Sequence, residues 1–236
     1  MPIEQPTIEI ESDPDRMAKE ARLANIRAGL EEVADAEGHG IDEGVQETVA
    51  VMNALGFPTA QSCEGHIRTG RPYPWIRIAA ADEPSERFIG EDELFNRVAR
   101  ENNAPPEELR RGTPDDLYWE VLRKAAENGE TEAFLKWREE NNKLHQRMMP
   151  LIEEFNEGRT ADDNIRLECE DRDGLAFEIR SEEENTPTNL KEDLSEEEER
   201  ELKRTLALKR IEMKDFTQFL KNHYFSKEFD ISSVKE

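Results

Sequence analysis

Cysteine is nearly absent from this chain: Cys63 and Cys169 are the only two in 236 residues. Two thiols exclude a disulfide-stapled design, and the cytoplasm is the expected location. Long apolar runs are missing too. None approaches the roughly 20 residues that a membrane helix needs, and Met1-Pro2-Ile3-Glu4 has neither the basic start nor the apolar stretch of a signal peptide. Basic residues are scarce beside acidic ones, 32 against 56, a net charge of −24. A surface of that sign repels phosphate backbones and anionic lipid, so neither a broad nucleic-acid footprint nor a membrane partner is expected. Large apolar residues are also few. Leu, Ile, Val and Phe make up 49 positions, about 21%, just above the composition at which chains stop folding, which predicts a modest core.

Against that acidic background one stretch differs. Residues 1–47 carry a net −9, whereas residues 48–81 carry a net +2. Thr48 to Cys63 holds no charge at all, and Gly65 to Ala81 holds Arg68, Arg71 and Arg77 with no acid. Such a stretch is either core with its flanking loop, or core carrying an anion site.

Local signals divide the chain into alternating elements. Pro6 to Glu11 reads as a short strand. Asp13-Pro14 reads as a cap with proline at the first helical position, opening a helix to about Glu37 whose thin apolar stripe is Met17, Ala21, Ala24, Ala28, Leu30 and Val33. Asp42 can cap a second helix, with Val45, Val49, Met52 and Leu55 on one face, Gly56 in the left-handed position after it and Pro58 preventing continuation. Strands are expected ending near Ser62 and over Trp75 to Ala79. Helices are expected over Glu91–Glu101, Asp115–Asn128 and Thr131 to about Met149, with Pro150 ending or kinking the last. A hairpin follows. Ile165, Leu167 and Cys169 alternate on one strand, Leu175, Phe177 and Ile179 on the next, and Asp171-Arg172-Asp173-Gly174 supplies the turn. Residues 181–193 read as a polar linker. Ser195 with Glu198 makes a capping box for a long helix carrying Leu202, Leu206, Met213, Phe216 and Leu220 on one side.

These elements predict an α+β fold: a small mixed or antiparallel sheet with helices packed on one face, and a long C-terminal helix. The expected division is an N-terminal strand and helix extension over 1–40, an α+β core domain over 41–181, and an acidic linker with an amphipathic helix over 182–236.

The chemically rich segment is Thr59-Ala60-Gln61-Ser62-Cys63-Glu64-Gly65-His66. Three chemistries could use it. Cys63 could be a nucleophile activated by His66 or an arginine, with backbone N–H groups around Gly65 facing an oxyanion. Cys63 and His66 could be a metal pair, with further ligands from His39, His145, Cys169 or a carboxylate. Or the loop could bind an anionic or nucleotide-like small molecule without covalent chemistry, through Thr59, Ser62, Gly65, Arg68 and Arg71. A plain structural role stays open beside them, with Cys63 as a small buried hydrophobe and Gly65 serving a turn. Elsewhere Cys169 is expected in the core, His145 on the surface, and His223 packed at the end of the last helix. His39, just before the helix that leads into this loop, could approach it, and Trp75 could anchor the core or stack on a base.

Gly40-Ile41-Asp42-Glu43, Val49, Met52-Asn53, Thr59 and Ser62-Cys63-Glu64-Gly65-His66-Ile67 together resemble the front of the wybutosine-synthesis methyltransferase-like family, which modifies a guanosine-derived base in tRNA. That family carries a Gly-x-x-Asp-Glu helix start, an Asn near the helix end, and Ser-Cys-Ser-Gly-Arg. Glu64 and His66 stand here where it has Ser and Arg. The resemblance spans about 30 residues. It implies an α+β fold and a ligand site at this loop, with S-adenosylmethionine and an RNA base as candidate ligands.

Two functions follow. One is a small-ligand or nucleotide-binding protein, or a modifying enzyme, with its site at Thr59 to His66; residue chemistry alone assigns it no cofactor. The other is an acidic interaction protein that binds a partner or itself through residues 195–224.

Overall fold

A computed structural model describes residues 13–34, 38–68, 70–112, 115–159, 162, 164–181, 194–226 and 229. The strand expected at Pro6 to Glu11 and nearly all of the polar linker at 181–193 lie outside them. In chain order the elements are α1 (Pro14–Leu30), α2 (Glu43–Ala54), β1 (Thr59–Cys63), β2 (Trp75–Ile78), α3 (Glu91–Glu101), α4 (Pro106–Arg110), α5 (Asp115–Ala126), α6 (Glu132–Asn156), β3 (Leu167–Asp171), β4 (Phe177–Ser181) and α7 (Glu196–Tyr224). The fold is α+β, with a four-stranded antiparallel sheet in the order β1-β2-β4-β3. No helix among the described residues is long and apolar enough to cross a membrane.

The chain forms two compact units. The first comprises residues 1–78, 151–170 and 178–236, and so holds α1, α2, α7 and nearly all of the sheet. Here α2 packs against α1, β1 and α7. Its two sides bury Val45, Val49, Ala50, Val51 and Met52, all at most 1% exposed. The C-terminal helix answers with Leu206, Met213, Phe216, Leu220 and Tyr224. Both helices also bring a hydroxyl into that dry contact, and Thr48 Oγ1 and Thr217 Oγ1 satisfy each other at 2.7 Å, as buried polar groups must. The capping box is present: Glu198 N–H donates to Ser195 Oγ and Ser195 N–H to Glu198 Oε2.

Several expectations need correcting. The first helix stops at Leu30, not near Glu37. It buries Lys19 and Leu23, while Met17, Ala21, Ala24 and Ala28 are exposed. Lys19 can be buried because its ammonium donates to Ser226 O at 2.9 Å and pairs with Asp15 at 2.8 Å. Pro150 sits inside α6. Pro150 and Gln146 are both exposed, so water can take the Gln146 carbonyl that proline leaves without its donor. β4 does not alternate; all five of its residues are buried, and in the sheet it lies between β2 and β3. Its charged members are paired instead, Glu178 with Arg71 and Arg180 with Glu170. Cys169 is half-buried rather than core.

The second unit comprises residues 79–150 and 171–177. Leu94, Phe95, Val98, Ala99, Leu109, Val121 and Ala125 form its core between α3, α4 and α5. The hairpin turn lies here, with Asp173 at φ 57° and Gly174 at φ 71°, the two consecutive left-handed residues of a type I′ turn. His145, expected at the surface, packs its ring 5.3 Å from that of Phe177.

Candidate functional site

The loop after β1 is built by an exchange of caps. Asp42 occupies the N-cap of α2 but makes no side-chain bond to its own helix. Its Oδ2 instead accepts the Glu64 N–H at 2.9 Å. In return, Glu64 Oε2 accepts the Gly44 N–H at 2.9 Å, so a residue 20 positions downstream supplies the acceptor that a helix start requires. Gly44 is needed for this approach: a Cβ there would lie 2.4 Å from Glu64 Oε2. Arg210, on α7, closes the arrangement. It donates to Glu64 O at 3.0 Å, to Glu64 Oε1 at 2.7 Å and to Gly65 O at 2.8 Å. Gly65 itself has φ +85° and lies against Tyr73, where a Cβ would stand 2.6 Å from the Tyr73 carbonyl carbon. The His66 N–H donates to Arg71 O at 2.8 Å, which fixes the far side of the turn.

This folding brings three ligand-type side chains together. One carboxylate oxygen of Asp42, the Cys63 sulfur and a ring nitrogen of His66 all lie within 4.8 Å of one another. His66 Nε2 is 3.4 Å from Asp42 Oδ2. The Gly65 N–H points to Cys63 Sγ at 3.3 Å. All three side chains are half-buried, so the cluster meets solvent on one side.

The electrostatics of the cluster bear on two chemistries. Burial raises the Asp42 carboxyl, but the Glu64 N–H, the Cys63 thiol and His66 outweigh it and hold that group below the usual carboxylate range. Burial pushes the Cys63 thiol up, and the Asp42 and Glu64 carboxylates push it further, against the Gly65 N–H. A nucleophilic thiolate needs the imidazole between sulfur and carboxylate. Here the imidazole stands 3.4 Å from the Asp42 carboxylate, which lies within 4.8 Å of the sulfur as well and favours the protonated thiol. A carboxylate, an imidazole and a sulfur with one open side are, by contrast, a donor set for a borderline divalent cation.

A cleft of about 620 Å³ lies on the first unit, lined by residues of α1, α2, β1 and the segment before α2. Leu30, Val49 and Trp75 form its apolar walls, and Asn53, Thr59 and Ser62 bring polar groups. Asn53 Nδ2 donates to Val49 O and to Thr59 Oγ1, both at 2.8 Å, which leaves its Oδ1 and the Thr59 hydroxyl proton for another partner. None of the described residues lining the cleft is Asp, Glu, Lys or Arg.

The candidate residues therefore separate. Cys63 and His66 lie in the three-residue cluster. Thr59, Ser62, Trp75 and His39 line the cleft. Gly65 is held against Tyr73. Arg68 pairs with Glu199, and Arg71 pairs with Glu178 at 2.7 Å and lies 5.0 Å over the Trp75 ring, so both guanidinium groups already have protein partners. Asp42, Glu64 and Arg210 were not readable as a unit from sequence. Asp42 carried the signal of a cap, and nothing local ties residue 210 to residue 64. Compared with protein-family models, curated proteins and solved structures, the chain matches none.

Proposed function

We propose that this chain binds a small, neutral, planar molecule in the cleft beside β1, as a ligand-binding protein or as an enzyme that modifies that molecule. The carrying observation is the cleft's lining. Charged residues are 37% of the chain, yet none of the described residues facing this space is Asp, Glu, Lys or Arg. A charged ligand would lose hydration there with no countercharge in return. A heterocycle loses little, gains the face of Trp75, and can bond to Asn53 and Thr59 at its edge. The volume suits a ligand of nucleoside size, which agrees with the base that the wybutosine-family resemblance implies. Free phosphate and nucleotides are disfavoured, because Arg68 and Arg71 are engaged elsewhere.

The test is thermal denaturation with adenosine, guanosine, S-adenosylmethionine, AMP and inorganic phosphate. A ligand at ten times its Kd stabilises by about 1.4 kcal/mol, a shift of roughly 3–6 °C for a chain of this size. Neutral nucleosides are expected to shift Tm and phosphate is not, and Ser62→Phe, which fills the cleft, abolishes the shift. Equal stabilisation by phosphate, or none by any nucleoside, removes the proposal.

The alternative, an acidic interaction protein acting through its last helix, has less support. The apolar side of α7 is buried within its own unit, and its large exposed apolar residues are Leu208 and Ile211.

A further inference from the structure

We infer that Asp42, Cys63 and His66 form a binding site for one divalent cation of the zinc class, with three protein ligands and a fourth position open. The inference is independent of the cleft and of what the cleft binds.

The donor set comes first. Thiolate, imidazole and carboxylate are the three ligand types that zinc takes from protein, and a mixed set of this kind disfavours calcium and magnesium, which prefer oxygen alone. Spacing comes second. Around a tetrahedral zinc ion at the usual bond lengths, neighbouring ligand atoms are about 3.4–3.6 Å apart. The His66–Asp42 pair already stands at 3.4 Å, and no pair in the cluster exceeds 4.8 Å. Closing the widest gap takes about 1 Å of side-chain motion, within rotamer adjustment on a half-buried loop.

The surroundings position these donors. The Glu64 N–H fixes Asp42, and the Gly65 N–H faces Cys63. Such outer bonds are what a ligand set needs to hold its orientation. Charge balance agrees: one carboxylate and one thiolate neutralise a divalent ion, and the imidazole adds none. Glu64, the residue after Cys63, is not a fourth ligand. One of its oxygens is bonded to Gly44 and the other to Arg210. Three protein ligands with a vacant position are the pattern of zinc sites that bind water or substrate, rather than of closed structural sites.

The experiment uses the full, untagged chain, stripped with chelator, loaded with zinc, dialysed and measured by plasma mass spectrometry. One zinc per chain is expected. Cobalt loading should give a sulfur-to-metal charge-transfer band. Cys63→Ser should lose that band and weaken zinc binding roughly 100-fold or more, since even outer-shell changes cost 10- to 100-fold. Asp42→Asn keeps an oxygen for the Glu64 N–H but removes a ligand charge, and should weaken zinc binding while leaving the melting curve of the metal-free protein near wild type. Zinc retained equally by wild type and both variants would mean adsorption on an acidic surface, and would overturn the site. So would cobalt binding with no sulfur band, or no zinc at all in a folded wild-type chain.

Discussion

Replacing Gly65 with alanine should be among the more damaging single-methyl changes this chain can suffer, and Gly38 provides the control. Both glycines have φ +85°, where an L side chain costs about 1–2 kcal/mol. Both lie in the first unit. They differ in space. A Cβ at Gly38 meets nothing within 4 Å. A Cβ at Gly65 meets the Tyr73 carbonyl carbon at 2.6 Å, its oxygen at 2.8 Å and Leu206 Cδ1 at 2.8 Å. Leucine can rotate, but the Tyr73 backbone cannot move alone, since Tyr73 is 1% exposed. Overpacking of this kind adds about 1–3 kcal/mol. Gly38→Ala should therefore lose about 1–2 kcal/mol, and Gly65→Ala about 2–5 kcal/mol, in urea denaturation followed by circular dichroism. The difference isolates the clash, because the backbone penalty is common to both. Gly65 lies between Cys63 and His66, so the same variant should also weaken zinc binding. Equal losses at the two positions would show that the loop can lift off Tyr73 freely, and that this close approach does not fix the site.

Arg210→Ala removes three bonds to Glu64 and Gly65. Because the Arg210 side chain is 41% exposed, the loss should be about 1–2 kcal/mol by thermal melting, and Arg210→Lys should not restore it, since one ammonium cannot span the same acceptors. Phe216→Ala, at a fully buried position on α7, should lose about 3–5 kcal/mol, whereas Leu208→Ser on the exposed side of the same helix should change stability by under about 0.5 kcal/mol. Burial raises the Glu47 carboxyl, but Arg27 and Lys221 outweigh it and lower it overall. Its stabilising contribution is therefore complete above the ordinary carboxylate range, near pH 4.3, and is lost as pH falls through the folded value; Glu47→Gln should flatten that acid limb, and an unchanged limb would remove Glu47 from the account.

The parts of the fold that were legible in sequence are those set by neighbours in the chain. The caps at Asp13 and Ser195, the left-handed Gly56 after α2, and the Asp173-Gly174 turn each work through atoms a few residues apart. The misread parts were set at a distance. The stripe expected on α1 ran through Met17, Ala21, Ala24 and Ala28, but the buried positions are Lys19 and Leu23. Lysine belongs there because Ser226, 207 residues away, offers it a carbonyl, and Tyr224 donates its hydroxyl proton to Lys19 O at 3.0 Å. Alternation failed in β4 for a related reason. Whether a strand has one dry face or two depends on what packs on each face, and that is not written in the strand itself.

Asp42 shows how a site can hide inside a structural signal. At the start of a helix it reads as a cap, and the position is indeed the N-cap. The helix receives its acceptor from Glu64 instead, and that substitution releases the Asp42 carboxylate to stand beside Cys63 and His66. The exchange has a stability consequence that separates two kinds of residue. Glu64 stabilises α2 and bonds Arg210, so Glu64→Ala should destabilise the fold by about 1 kcal/mol or more through the lost cap alone. Asp42 accepts the Glu64 N–H, a bond that asparagine can keep, and its other polar neighbours are the cluster's own His66 and Cys63. A residue at a cap position whose removal changes the helix little, beside a distant residue whose removal changes it more, is the signature of a side chain held for chemistry rather than for folding.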